Sequence, residues 1–158
     1  MVSNRLMMGT SDTTFSPDGV ATRAMITTIL YRLEGCPAVE NSGAFTDVAQ
    51  GAWYSEAVNW AAEKSLVEGY GNGQYRPNGK LTREQIIVIL YRYAHEENTE
   101  DGKLTSFPDA KDISGYALEA MNWAVARGLI NGSDGKLLPQ DTATRAQIAV
   151  ILARYLNA

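Results

Sequence analysis

The chain has one cysteine, Cys36, so no disulfide can form within it. That excludes a small secreted scaffold stapled by bridges. It does not exclude export, because a chain of 158 residues buries enough core to stand without bridges. There is also one histidine, His95. Neither it nor Cys36 lies in a recognisable catalytic motif, so a nucleophile–base pair is not supported. Basic residues are outnumbered, 14 Lys and Arg against 18 Asp and Glu, for a net charge of −4. Nucleic-acid binders usually show a basic stripe, so nucleic acid is not an expected partner. No apolar run approaches the roughly 18 residues that would cross a bilayer, and no membrane insertion is expected. Residues 1–14 hold one arginine and no apolar h-region, so they do not read as a signal peptide. A chain of this kind working outside the cell takes its export signal from upstream of Met1. The sequence also lacks a phosphate-binding G-K-[ST], a triad, a carboxylate pair and any metal-ligand spacing. The loops Gly71-Asn72-Gly73-Gln74 and Ser133-Asp134-Gly135-Lys136 lack the spaced ligands and closing Glu of an EF-hand. No catalytic residue, metal or cofactor is therefore expected.

What is present is a core-forming composition, 45% hydrophobic and 20% charged, and a repeat of about 60 residues. Pro17, Pro77 and Pro139 keep step, as do Arg23, Arg83 and Arg145, and Leu30, Leu90 and Leu152. A second set precedes the last two of these segments. Phe45-Thr-Asp-Val aligns with Phe107-Pro-Asp-Ala, and Glu56-Ala-Val-Asn-Trp-Ala with Glu119-Ala-Met-Asn-Trp-Ala.

Each full repeat reads as an F-x-D lead-in, a helix, a glycine-rich loop and a second helix. The first helices are placed at about 53–66 and 116–129, with Ala57, Trp60, Ala61 and Leu66, then Ala120, Trp123, Ala124 and Leu129, at helical spacing. The loops carry Gly69, Gly71 and Gly73, or Gly132 and Gly135, which permit positive φ and stop the helix. The second helices begin at a Thr-Arg pair and carry apolar stripes. These are Met25, Ile26, Ile29, Leu30 and Leu33; Ile86, Ile89, Leu90 and Tyr93; and Ile148, Ile151, Leu152 and Tyr155. Thr82 with Gln85 and Thr144 with Gln147 fit a capping box, whereas Thr22 can cap but Met25 cannot reciprocate. The segments at 34–44 and 95–106 read as linkers, the second made acidic by Glu96, Glu97, Glu100 and Asp101.

The run F-T-D-V … W-Y … W-A … G-Y-G-N-G-Q-Y-R-P-N-G-K-L-T-R-E-Q resembles the S-layer homology domain. The Thr-Arg stretches at 22–25, 82–85 and 144–147 are similar to that family's I-T-R-A-E signature. The resemblance implies an all-α fold of three tandem helix–loop–helix repeats in a pseudo-threefold assembly. Repeat 1 covers 1–35, repeat 2 covers 45–94 and repeat 3 covers 107–156. It further implies an extracellular, cell-wall or S-layer location and a non-catalytic role, the anchoring of an exported protein. The implied partner is secondary cell-wall polysaccharide, often pyruvylated, bound in grooves between repeats.

The residues themselves point to a site at the Thr-Arg pairs. An arginine in the first turn of a helix sits at the wrong end of the macrodipole, at a cost of about a few tenths of a kcal/mol. The chain does this three times, at Arg23, Arg83 and Arg145. Helix-start N–H groups favour an anion, and a guanidinium adds a partner for a carboxylate. Arg23, Arg83 and Arg145 are therefore candidate ligands for polymer carboxylates. Thr22, Thr82 and Thr144 would complete the contacts, Asp47 and Asp109 would orient the arginines, and Trp53 would stack on sugar. Repeat 3 carries Gly115-Tyr116 where repeat 2 carries Trp53-Tyr54. The alternative is a structural or protein-interaction scaffold, in which the arginines are internal salt-bridge ties to carboxylates such as Asp47 and Asp109. A third reading makes the repeats the anchor of an enzyme whose catalytic part lies outside these residues.

Repeat 1 lacks the F-x-D lead-in and most of its first helix, with residues 2–8 resembling that helix's end. This predicts a truncated or mis-started chain, a partly uncovered Met25, Ile29 and Leu33 stripe, and self-association through repeat 1.

Overall fold

The computed structural model describes residues 19–39, 45–49, 51–67, 72–94, 102–131 and 135–157. Among the described residues five α-helices carry the fold: α1 (Arg23–Leu33), α2 (Ser55–Glu63), α3 (Arg83–Ala94), α4 (Leu118–Ala126) and α5 (Arg145–Leu156). Short 3₁₀ turns at Leu104–Ser106, Ala110–Asp112 and Gly115–Ala117 lead into α4. Among the described residues there is no strand. Three isolated antiparallel bridges, Val20 to Thr144, Thr22 to Lys80 and Thr82 to Thr142, sit at the helix starts. This is the tandem helical repeat that the sequence predicts.

The described residues divide into two lobes. The first holds residues 21–80, and the second holds 19–20 with 81 onward. In the first, α1 packs on α2; in the second, α3 packs on α4. Each packed pair thus takes the second helix of one sequence repeat and the first helix of the next. A repeat of this size cannot bury its apolar stripe within itself, so it borrows its neighbour's.

The tryptophans anchor both pairs. Trp60 and Trp123 are buried, as the spacing predicts. The Trp60 ring lies 5.6 Å from Tyr31, and the Trp123 ring lies 5.1 Å from Tyr91 and 6.4 Å from Tyr155. The tyrosine tips then find carboxylates at the surface. Tyr31 Oη donates to Glu56 at 3.2 Å and to the Pro37 carbonyl at 2.7 Å, and Tyr91 Oη donates to Glu119 at 2.7 Å. Burial, with the Glu56 charge beside it, pushes the Tyr31 phenol above its ordinary range.

The helices α2 and α4 are shorter than the apolar spacing predicts, and the reason is local. Each ends in a residue with positive φ, Ser65 at 58° and Gly128 at 73°. The Leu66 N–H then reaches back to the Ala61 carbonyl at 2.9 Å, and the Leu129 N–H to Ala124 at 2.8 Å. This is a Schellman ending, whose apolar residue just past the helix packs back onto it. Leu66 and Leu129 are buried for that reason and are not helical. A serine with positive φ is strained where glycine is not. Ser65→Gly is expected to raise stability by about 0.5–1 kcal/mol, read as a higher midpoint in urea with an unchanged slope.

The stripe of α1 is better covered than expected. Ile26, Ile29 and Leu30 are buried, and Met25 and Leu33, at the two ends, are half-buried. Residues 2–8 and the acidic run at 96–101 lie outside the described residues. The end of the second linker is not a loose connector. The Gly102 N–H donates to Asn122 Oδ1 at 2.7 Å, and a Cβ at Gly102 would come within 2.5 Å of the Asn122 carbonyl oxygen. Only glycine lets the chain pass this close to α4.

Candidate functional site

Each Thr-Arg pair starts a helix as the sequence predicts. Thr22 Oγ1 accepts from the Met25 N–H at 3.3 Å. Thr82 and Gln85 reciprocate, the Gln85 N–H to Thr82 Oγ1 at 3.3 Å and the Thr82 N–H to Gln85 Oε1 at 2.9 Å. Thr144 and Gln147 form the same box. The threonine oxygens are thus engaged as caps.

The helix-start amides do not stand open to an anion, and here the structure corrects the sequence reading. The Arg23 N–H donates to the Gly79 carbonyl at 3.0 Å and the Ala24 N–H to the Pro77 carbonyl at 2.9 Å. In the second lobe, the Arg83 N–H goes to Asp141 at 2.9 Å and the Glu84 N–H to Pro139 at 3.1 Å. The Arg145 N–H goes to Gly19 at 2.9 Å. The positive end of each macrodipole faces backbone carbonyls of a loop, which carry the partial negative charge it favours.

The arginine side chains follow the same loops inward. Arg23 Nε donates to the Tyr75 carbonyl at 2.8 Å, and its guanidinium lies 4.5 Å from the centre of the Tyr75 ring. Tyr75 Oη returns a bond to the Arg23 carbonyl at 3.2 Å. Arg83 Nε donates to the Leu137 carbonyl at 2.9 Å. Arg23 and Arg83 are 9% exposed and Arg145 is 4% exposed. Burial pulls the Arg83 and Arg145 guanidinium pKa down, and for Arg83 the charges of Asp141 and Asp109 oppose it. Guanidinium stays protonated all the same. The residue that repeats Tyr75 and Leu137 in repeat 1, Phe15, lies outside the described residues.

Asp47 and Asp109 hold the other side of those peptides. Asp47 accepts from the Tyr75 and Arg76 N–H groups, both at 2.8 Å. Asp109 accepts from the Leu137 N–H at 3.0 Å and the Leu138 N–H at 2.8 Å. The next residue in each loop, Arg76 or Leu138, has positive φ before a proline, a sparsely populated backbone state. The carboxylate clamp and the arginine together hold it there. Each aspartate and arginine thus meet at one loop residue, the carboxylate on its N–H and the Nε–H on its C=O.

Desolvation works to raise both aspartate pKa values. The backbone N–H donors outweigh it, helped by the Arg76 charge for Asp47 and the Lys136 charge for Asp109, and hold both carboxyls below the ordinary range. A carboxyl whose pKa falls on folding adds stability that is full above its unfolded value, about 4, and is lost as pH drops through the folded value. The melting temperature is therefore expected to fall steeply below about pH 4. The Asp47→Asn, Asp109→Asn double variant should start lower at neutral pH and show a flatter acid limb in melts taken across that range.

Two aromatic side chains stand outside this framework. Trp53 is 64% exposed and Tyr116 is 61% exposed. Each occupies the place just before a helix N-cap, Tyr54 for α2 and Ala117 for α4. Tyr116, and not Gly115, is thus the counterpart of Trp53. The turn into α4 is one residue longer than that into α2, which shifts the motif alignment by one. Tyr116 has hydrogen bonds to Gln85 and Ser114, and it lies beside Glu84, so the aromatic sits at the start of α3.

Glu84 was not singled out by the sequence. It follows the arginine of its Thr-Arg pair, yet it is 0% exposed. Its carboxylate takes the Ser114 N–H at 3.2 Å, Ser114 Oγ at 3.1 Å and Gln140 Nε2 at 2.5 Å. Gln140 also donates to the Asp112 carbonyl at 3.0 Å. The signal was available: repeats 1 and 3 have alanine there, Ala24 and Ala146.

These are helix-pair lobes with a thrice-used Thr-Arg start and a twice-used F-x-D clamp. The S-layer homology domain profile matches residues 1–24, 44–87 and 106–149, and the chain belongs to that family. It is 34% identical over 162 residues to an amylopullulanase of Thermoanaerobacterium thermosulfurigenes, covering 99% of this chain and 9% of that protein. It is 32% identical over 161 residues to a surface-layer 125 kDa protein of Lysinibacillus sphaericus, covering 99% of this chain and 13% of that protein. It is also 28% identical over 151 residues to a cellulosome-anchoring protein of Acetivibrio thermocellus, covering 90% of this chain and 33% of that protein. The chain thus spans a third or less of each of these relatives. No helix among the described residues is long and apolar enough to cross a membrane.

Proposed function

We propose that this chain is a non-catalytic carbohydrate-binding module that holds an exported protein on the bacterial cell wall, at the S-layer. Its ligand is secondary cell-wall polysaccharide carrying carboxylates, such as pyruvyl ketals. The observation that carries this reading is the pair of exposed aromatics, Trp53 and Tyr116, each just before a helix start in a family named for surface layers. An indole that is 64% exposed contributes little to a core and offers a flat apolar face to a sugar ring. The relatives fit: a sugar-polymer enzyme, a surface-layer protein and an anchoring protein share the array.

The arginines change role in this reading. The Nε–H groups of Arg23 and Arg83 are spent on loop carbonyls, so these two and the buried Arg145 supply a fixed positive charge at the helix starts. The threonines Thr22, Thr82 and Thr144 and the aspartates Asp47 and Asp109 keep that charge in place. Sedimentation with purified cell-wall sacculi tests the function. Retention is expected on intact sacculi and its loss after the non-peptidoglycan polymer is stripped. Equal retention on stripped sacculi contradicts it.

The second reading, a structural scaffold or protein-interaction module, draws on the buried arginines and on the charges of Asp141 and Asp109 that face Arg83. Self-association through repeat 1 is proposed under either reading, at Met25 and Leu33, the half-buried ends of the α1 stripe. The arginine variants separate the two readings, since in the scaffold Arg→Ala lowers the melting temperature and leaves retention on sacculi unchanged.

A further inference from the structure

We propose that Glu84 is a built-in occupant of the second lobe's carboxylate site, and that it leaves the first lobe as the one of the two that takes the anionic polymer. The inference rests on the polysaccharide reading above and says where binding occurs.

In the second lobe, three polar groups converge on one carboxylate: the Ser114 N–H, Ser114 Oγ and Gln140 Nε2. That donor set is what a carboxylate ligand would need, and Glu84 already fills it from within. Tyr116 is tied in as well, through Gln85 and Ser114. Its ring is exposed but its hydroxyl is engaged. A second carboxylate brought into this cluster would meet the Glu84 charge at short range, which is unfavourable in a desolvated place.

The first lobe has the same frame without the plug. Ala24 follows Arg23 as Glu84 follows Arg83, and Asn78 follows Pro77 as Gln140 follows Pro139. Gly51 stands two residues before Trp53, as Ser114 stands two before Tyr116. A Cβ built at Gly51 meets no atom within 4 Å, so there is space beside it. Asn78 is exposed and shorter than glutamine by one methylene. The first lobe therefore keeps an amide donor, a buried guanidinium and an exposed indole, with Ala24 at the position of Glu84.

The test is a titration with a disaccharide bearing one pyruvyl ketal, on the whole chain and on two variants. The Ala24→Glu, Asn78→Gln variant brings a carboxylate and one amide donor into the first lobe, and at a temperature where its melt shows it folded it is expected to lose affinity at least tenfold. Glu84→Ala is expected to keep wild-type affinity or to add a binding event. Loss of binding in Glu84→Ala, with a wild-type melting curve, overturns the proposal by making Glu84 a ligand contact. Undiminished binding in the folded first-lobe variant overturns it too, and leaves the polysaccharide reading intact. A wild type that binds no disaccharide and no sacculi overturns both. Should Glu84→Ala not fold, Glu84→Gln keeps the hydrogen bonds without the charge, and the same outcomes apply to it.

Discussion

Replacing Arg83 by alanine is expected to lower the melting temperature by about 9 °C. The substitution removes the Nε–H donated to the Leu137 carbonyl, and Leu137 is fully buried, so that oxygen is left without its partner. An orphaned buried acceptor costs about 1–3 kcal/mol. Asp109 and Asp141 lose the charge that faces them, and the arginine stem leaves a void against the loop. Together these come to about 3 kcal/mol, and for a chain of this length each kcal/mol moves the midpoint by about 2–4 °C. Arg83→Lys should recover only part, because an ammonium cannot present the planar fork that meets the carbonyl. Lys111→Ala, at an exposed lysine, should leave the melt unchanged. If Arg83→Ala melts like wild type, the arginine is not a tie and the site geometry described above is wrong.

Trp53→Ala is expected to do the reverse. The side chain is 64% exposed and edges onto Tyr54 at 5.1 Å, so its removal should leave the melting temperature within about 2 °C of wild type. Its effect should appear in binding, as a loss of about tenfold in affinity for the wall polymer, the worth of one stacked ring at about 1.4 kcal/mol. Tyr116→Ala should weaken binding less, because Tyr116 flanks a site filled by Glu84. Arg83→Ala and Trp53→Ala together thus separate a residue that builds the frame from one that meets the ligand. A Trp53→Ala variant that unfolds, or that binds as wild type does, would remove the aromatic from the account.

The helix starts were legible in the sequence because their chemistry is local. A threonine and a glutamine three residues apart state a capping box wherever the chain goes, and Thr82 and Gln85 form one. The burial of Trp60 and Trp123 was equally readable from helical spacing. The destination of the helix-start amides was not readable. Their acceptors are backbone carbonyls of Pro77, Gly79, Pro139 and Asp141, more than 50 residues away, and a carbonyl leaves no mark in side-chain identity. The function of Asp47 and Asp109 was half readable. The F-x-D motif showed that a carboxylate mattered, and only the fold shows that it reaches arginine through a shared peptide. The helix ends misled because Leu66 and Leu129 keep the apolar period through a Schellman turn that has left the helix. Glu84 carries no signal of its own in a single repeat, because an acidic residue at a first turn is ordinary. Its meaning lies in Ser114 and Gln140, which only folding brings to it.

The central claim is that the chain recognises a carboxylate-bearing wall sugar at an exposed aromatic beside a helix start. Calorimetric titration with a pyruvylated disaccharide, and with the same disaccharide after removal of the ketal, tests it most directly. The account predicts saturable binding of the first and at least tenfold weaker binding of the second. Equal affinity for the two sugars, or heat from neither, would contradict it.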